Sequence, residues 1–208
     1  MKDGKIRILI ADDHSIVRMG LATLLEMEDD LELVGQSANG KAAVADAMRL
    51  MPDVVVMDLM MPVLDGVEAT AAIMDKMPEV KIILFTTFPT SDLIAKAIDN
   101  GAKGVVFKSA ADTELVKAIR AVASGKSYIS PSVAKLLASD PPIEPLTPRQ
   151  EEILGSIARG LSNSDIAKEL GITPTTVREY TIALFQKIGA ANRSEAVAIA
   201  LRKHLIKT

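Results

Sequence analysis

VVVMDLMMPVLDG, residues 54–66, begins with the apolar run VVVM and then meets Asp58. An unbroken apolar run of this kind suits a strand buried on both faces. In an open α/β sheet the carboxyl end of such a strand opens on the ligand crevice. Asp58 is therefore a charge at a strand's mouth. The MP and DG pairs that follow require a loop and then a helix starting near Asp65.

The same form recurs on either side. IRILIA (6–11) ends on Asp12 and Asp13, ELVGQS (32–37) on Ser37, KIILFT (81–86) on Thr86, and GVVFK on Lys108. The intervening segments read as helices. One carries apolar spacing at Ile16, Met19, Leu24, Leu25 and Met27, one runs from its cap Asn39 to Met51, and one runs from Asp65 to Met77. Two more span 91–100, closed by Gly101, and 112–124, closed by Gly125. Five strands alternating with five helices predict a doubly wound α/β domain with a parallel sheet.

The strand ends then converge on one crevice. Three carboxylates crowded together resist common ionisation, and a divalent cation such as Mg²⁺ resolves this with carboxylates, a carbonyl and waters. With Asp12 and Asp13 anchoring the metal, Asp58 can act as a nucleophile toward a phosphoryl group. Lys108 offers a cation to the phosphoryl oxygens and Thr86 a hydroxyl donor. Singly these residues have ordinary explanations as caps, turns and a solvated strand end. Their coincidence at successive strand ends favours the chemical reading.

Composition limits the alternatives. The chain has 208 residues, 49% of them apolar, and no cysteine, so disulfides and thiolate metal sites are excluded. MKDGKIRILIADD is too charged and short for a signal peptide, and no apolar run is long enough to span a membrane, so a cytoplasmic protein without membrane association is expected. Residues 1–145 hold 15 Lys/Arg against 21 Asp/Glu (−6), whereas 146–208 hold 9 against 6 (+3). The acidic part suits a metal or phosphoryl site and the basic part a phosphate backbone.

IADDH, MDLMMPVLDG, the first threonine of FTTF and the lysine of GVVFK resemble the receiver domain of two-component response regulators. The resemblance covers about residues 5–125 and implies a flavodoxin-like five-stranded sheet of order 2-1-3-4-5. It further implies a phospho-acceptor at Asp58, Mg²⁺ held by Asp12, Asp13, Asp58 and the Met60 carbonyl, switch residues Thr86 and Lys108, and a sensor histidine kinase as partner. Val105 stands where the family usually has an aromatic residue, which removes the usual partner of the threonine. Met60 and Phe88, apolar and two positions past Asp58 and Thr86, are expected to impede the water that would hydrolyse the phosphoryl group. A phosphatase with an aspartyl nucleophile is the rival of another class, and Met60 argues against it by standing where a second acid would be needed. No enzymatic role is expected.

KSYISPSVAKLLASDPPIEP, 126–145, reads as a linker with one short helix around Val133, Leu136 and Leu137. This divides the chain into residues 1–125, the linker, and a helical domain over 146–208. In the latter, Thr147 with Gln150 reads as a capping box, Ser162 and Thr173 as caps, and Asn192 as the start of a fourth helix. Gly171 and Ile172 form the tight turn of a helix-turn-helix.

LTPRQEEIL, GLSNSDIAKELGI and TTVREY resemble the helix-turn-helix of the LuxR and NarL type. This makes 173–188 the recognition helix, with Val177, Leu184 and Ile188 buried and Thr175, Arg178, Glu179 and Ile182 exposed. The resemblance carries backbone-positioning roles to Thr176, Arg178 and Lys187, and base-touching positions to Glu179 and Ile182. Tyr180 replaces the usual histidine and Ser164 a frequent lysine. The whole implies a phosphorylation-dependent transcriptional regulator that binds double-stranded operator DNA as a homodimer. The alternative is a regulator acting through protein contacts whose helix-turn-helix binds DNA weakly or not at all.

Overall fold

The computed structural model describes residues 4–87, 90–110 and 112–206. Two compact units are found, one of residues 1–89 and 93–140, the other of 90–92 and 141–208.

In the first unit the strands are β1 (Ile6–Ala11), β2 (Leu31–Ser37), β3 (Val54–Met57), β4 (Lys81–Thr86), β5 (Gly104–Phe107) and β6 (Tyr128–Ile129). All pairings are parallel, in the order β2-β1-β3-β4-β5-β6. The expected order 2-1-3-4-5 holds. The expected count of five does not, because Tyr128–Ile129 pair with Gly104 and Val105 as a sixth strand. Two residues are too few to display a strand's period, so nothing in the sequence marked them.

Side chains alternate along each strand and divide the core in two. Leu9, Val55, Met57, Ile82, Leu84 and Val105 face one side with Ala43 and Ala47 of α2 (Gly40–Leu50), Ala69 and Ile73 of α3 (Gly66–Lys76), and Ile94 and Ala97 of α4 (Ser91–Asp99). Ile8, Ile10, Val54, Val56, Ile83 and Val106 face the other with Leu21 and Leu25 of α1 (Ser15–Glu26) and Leu115, Ile119 and Val122 of α5 (Asp112–Ala123). Right-handed crossovers place helices on both faces in this way.

The caps follow local chemistry. Asn39 and Asp65 accept the backbone N–H groups of Ala42 and Glu68, each at 2.8 Å. Gly125 takes φ +85°, and the N–H of Lys126 closes on the Ala121 carbonyl at 3.1 Å, a glycine-dependent helix stop.

The expected apolar face of α1 holds in part. Leu25 is buried and Leu24 packs on the core as expected, joined by Leu21, whereas Ile16, Met19 and Met27 are 81%, 66% and 77% exposed. Two apolar faces share the helical period here, and only the sheet decides which is buried.

Of the segment 126–145, Tyr128 and Ile129 lie in the sheet, and Ser130 caps α6 (Pro131–Ser139), whose Val133 is fully buried in the first unit's core.

The second unit holds α7 (Pro148–Ala158), α8 (Asn163–Leu170), α9 (Pro174–Ile188) and α10 (Arg193–Arg202). Its core joins Ile153, Leu154, Ile157, Ile166, Val177, Leu184, Ile188, Ala196, Ile199 and Ala200. Both Thr147–Gln150 and Ser162–Asp165 form capping boxes, and Gly171 turns the chain at φ +64° before the cap Thr173. No helix among the described residues is long and apolar enough to cross a membrane.

Candidate functional site

The carboxyl ends of β1, β3, β4 and β5 bring the expected residues together. The Asp58 N–H donates to the Ala11 carbonyl at 2.8 Å and the Lys108 N–H to the Thr86 carbonyl at 2.9 Å, which aligns adjacent strand ends. A cleft of about 290 Å³ opens there, lined by His14, Val17, Asp58, Met60, Thr86, Thr87 and Lys108.

Asp12 and Asp58 are buried, at 1% and 4% exposure, while the Asp13 side chain is 32% exposed. Lys108 Nζ lies 2.5 Å from Asp12 Oδ2 and 2.7 Å from Asp58 Oδ2. Burial works against the Lys108 ammonium, yet its hydrogen bonds to Asp12 and Asp58 outweigh that and hold its pKa above the ordinary lysine value. One ammonium against three carboxylates leaves a local charge of about −2.

One ligand atom from each of Asp12, Asp13, His14 and Asp58 lies within 4.8 Å of the others. Asp12 Oδ2 is fully buried and faces the Lys108 ammonium at 2.5 Å. An oxygen-rich cluster with surplus negative charge fits a hard divalent cation. Met60 is 50% exposed at the mouth, and its N–H reaches Asp58 Oδ1 only at 3.5 Å. Thr86, at 1% exposure, ends β4 beside the cleft. Phe88 lies outside the described residues.

Three features of the site were missed in sequence. His14 pairs with Asp13 at 2.6 Å, a role that its place directly after the two acids could have suggested. Arg18 Nη1 donates to the Asp12 carbonyl at 2.6 Å and braces the end of β1, four residues after His14 and one helical turn away. Gly66 packs so closely that a Cβ there would sit 2.1 Å from the Asp58 carbonyl oxygen. The DG pair signalled a helix start but not this contact. Val105 is fully buried, and Phe107 packs partly on the same core. α6 packs on β5, the strand that carries Val105.

On α9, Val177, Leu184 and Ile188 are buried, and Thr175, Arg178, Glu179, Tyr180 and Ile182 are exposed. The side chains of Thr176 and Thr173 hydrogen-bond at 2.9 Å. Lys187 Nζ donates to the Pro145 carbonyl at 2.7 Å, so its ammonium is engaged within the unit. In α10, Ala196, Ile199 and Ala200 serve the core, and Leu201 stays 45% exposed.

Comparison with known proteins covers both units. A family model described as "Response regulator receiver domain" matches residues 8–120, and one described as "Bacterial regulatory proteins, luxR family" matches 144–200. The transcriptional regulatory protein LiaR of Bacillus subtilis is 38% identical over 209 residues, 97% of this chain and 99% of that protein. The response regulator VraR of Staphylococcus aureus is 35% identical over 207 residues, with the same shares. RcsB of Salmonella enterica serovar Typhimurium, solved bound to a promoter in the presence of the phosphomimetic BeF3−, aligns with a TM-score of 0.72 at 28% identity. That alignment covers 95% of this chain and 98% of RcsB.

Proposed function

Since this chain belongs to the response regulators of the NarL/LuxR type, with a receiver domain followed by a LuxR-type helix-turn-helix, we propose that a sensor histidine kinase phosphorylates it on Asp58 and that the phosphoryl group governs operator binding. It is a DNA-binding regulator of transcription in a two-component system. The observation that carries the finer reading is the Lys108 ammonium held across Asp12 and Asp58 in an otherwise anionic cleft.

In this reading a carboxylate oxygen of Asp58 forms the new O–P bond as the bond from phosphorus to the donor's nitrogen or oxygen breaks, and the electron pair leaves with the donor. Asp12, Asp13, Asp58 and the Met60 carbonyl would hold Mg²⁺, which neutralises carboxylates and phosphoryl oxygens brought into contact. Lys108 would release a carboxylate and take a phosphoryl oxygen, and Thr86 would offer its hydroxyl. The added charge of about −1.5 to −2 then biases a two-state surface at the ends of β4 and β5. With Val105 small, α6, which packs on β5 as α5 does, would register the change.

Residues 1–125 would serve as the receiver and 146–208 as the DNA-binding domain, with 126–145 joining them. RcsB has been solved as two dimers bound to two parallel DNAs. By that likeness this chain would bind duplex DNA in the cytoplasm as a homodimer. Thr175, Thr176, Arg178, Glu179, Tyr180 and Ile182 would face the DNA from α9, and Lys187 would steady its C-terminal end.

The test is Mg²⁺-dependent labelling by acetyl phosphate, followed by unbiased DNA selection. Wild-type protein is expected to take up one phosphoryl group and select a sequence more strongly with it. Persistent labelling of Asp58→Asn would overturn the site assignment, and selection indifferent to phosphorylation would overturn the control.

A further inference from the structure

His14 brings a nitrogen donor to the acidic cleft that the phosphoryl chemistry leaves unused. Its Nδ1 lies 2.6 Å from Asp13 Oδ1 and 3.4 Å from Asp12 Oδ1, inside the same cluster of ligand atoms as Asp58. The side chain is 67% exposed, so packing does not hold it there. The backbone does: the His14 N–H donates to Asp12 Oδ1 at 2.9 Å, and the His14 carbonyl accepts the Arg18 N–H at 3.1 Å. His14 also occupies the N-cap of α1, and its side chain makes no capping hydrogen bond. Side-chain capping is the work of Ser, Thr, Asp and Asn, and the imidazole here is free of it. This imidazole lies against the carboxylates of Asp13 and Asp12, while Lys108 compensates the buried Asp12 Oδ2.

Resting on the reading of this cluster as a divalent-cation site, we propose that His14 is a ligand of the cation through Nδ1 and that it shifts the site's preference from Mg²⁺ toward Mn²⁺. Mg²⁺ selects oxygen donors and sheds water reluctantly. Imidazole is the commonest nitrogen ligand and suits first-row transition ions. Neutral imidazole adds a donor without adding charge, so it changes which ion is preferred more than how strongly the anionic cleft attracts cations. Asp13, the carboxylate nearest the ring, is also the most accessible of the three, so the two would present a paired oxygen and nitrogen at the mouth.

The experiment uses the tag-free full-length chain, with pulsed EPR on bound Mn²⁺ and calorimetric titrations of Mn²⁺ and Mg²⁺. Wild type, His14→Ala and Asp13→Asn are compared. Wild type is expected to show imidazole nitrogen coupling that His14→Ala lacks. Mn²⁺ affinity should fall by about tenfold in His14→Ala, the lower end of what loss of a residue supporting a metal costs, with Mg²⁺ affinity nearly unchanged. Mn²⁺ bound without nitrogen coupling, or an equal loss for both ions, overturns the role of His14 and leaves the acidic site standing. Absence of uptake of either ion by wild type, with Asp13→Asn behaving identically, overturns the cation site together with the inference.

Discussion

Lys108 Nζ stands 2.7 Å from Asp58 Oδ2, and the same nitrogen reaches Asp12 Oδ2, so one ammonium holds two buried carboxylates together. Removing it leaves both acids uncompensated. Lys108→Ala is expected to lower stability by about 3 kcal/mol in metal-free solution, as breaking a buried pair does. Mg²⁺ should then stabilise the variant more than the wild type, because no fixed cation competes for the cluster. Urea midpoints with and without Mg²⁺ check this, and equal Mg²⁺ responses would contradict it.

Val63 adopts φ +72° and is 78% exposed. A β-branched residue in the left-handed region is strained by roughly 1–2 kcal/mol, and an exposed side chain has little packing to lose. The Leu64 N–H closes on the Pro62 carbonyl at 2.9 Å, which makes Val63 the centre of a strained γ-turn, and Val63→Gly, free at this φ, should raise stability by up to about 1 kcal/mol. Thermal unfolding reads this as a higher midpoint, and a lowered one would argue against strain at this turn.

Arg120 donates to both Asp30 oxygens, at 2.8 and 2.6 Å, and to Glu28 at 2.6 Å. The hydrogen bonds from Arg120 hold the Asp30 carboxyl below the usual aspartate value. A depressed carboxyl pKa contributes stability above the unfolded value, near 4, and loses it as the pH falls through the folded one. The groups are 31–45% exposed, so Arg120→Ala should cost under about 1 kcal/mol at neutral pH. The gap between variant and wild type should be flat from about pH 6 to 8 and should close under acid. Denaturant titration across pH distinguishes this from a gap that persists into acid.

Arg178 and Glu179 are adjacent and exposed on α9. Arg178→Ala should weaken DNA binding on all sequences and reduce the salt slope by about 1. Glu179→Ala should do the reverse, raising general affinity and relaxing the preference for cytosine at one position, since carboxylates accept from cytosine N4. Salt-dependent binding to the selected operator and to a scrambled duplex separates the two.

Much of the site was legible because charge is conspicuous at the end of an apolar run. Asp12, Asp13, Asp58, Thr86 and Lys108 each end or follow a strand, and crossover geometry alone brings such ends together. The caps Asn39, Asp65, Thr147, Ser162, Thr173 and Asn192 were legible for a local reason, since each side chain serves its own backbone. What stayed hidden depends on partners distant in sequence. The close fit of Gly66 to the Asp58 carbonyl exists only once loop and strand are assembled. The buried side of α1 was only half legible, because Ile16 and Met19 fit the helical period beside Leu24 and Leu25 as well as Leu21 does. β6 depends on hydrogen bonds from Tyr128 to Lys103 and from Ser130 to Val105, which no local pattern announces.

That short strand also limits how two copies can meet. By lying along β5 it occupies the main-chain groups that a second molecule would need for edge-to-edge pairing. At the opposite margin β2 carries exposed Glu32 and Gln36, and its register with β1 slips between Ile8 and Leu9, both features that discourage strand addition. With both margins of the sheet blunted, a second copy meeting this unit would have to do so through helical faces rather than by extending the sheet.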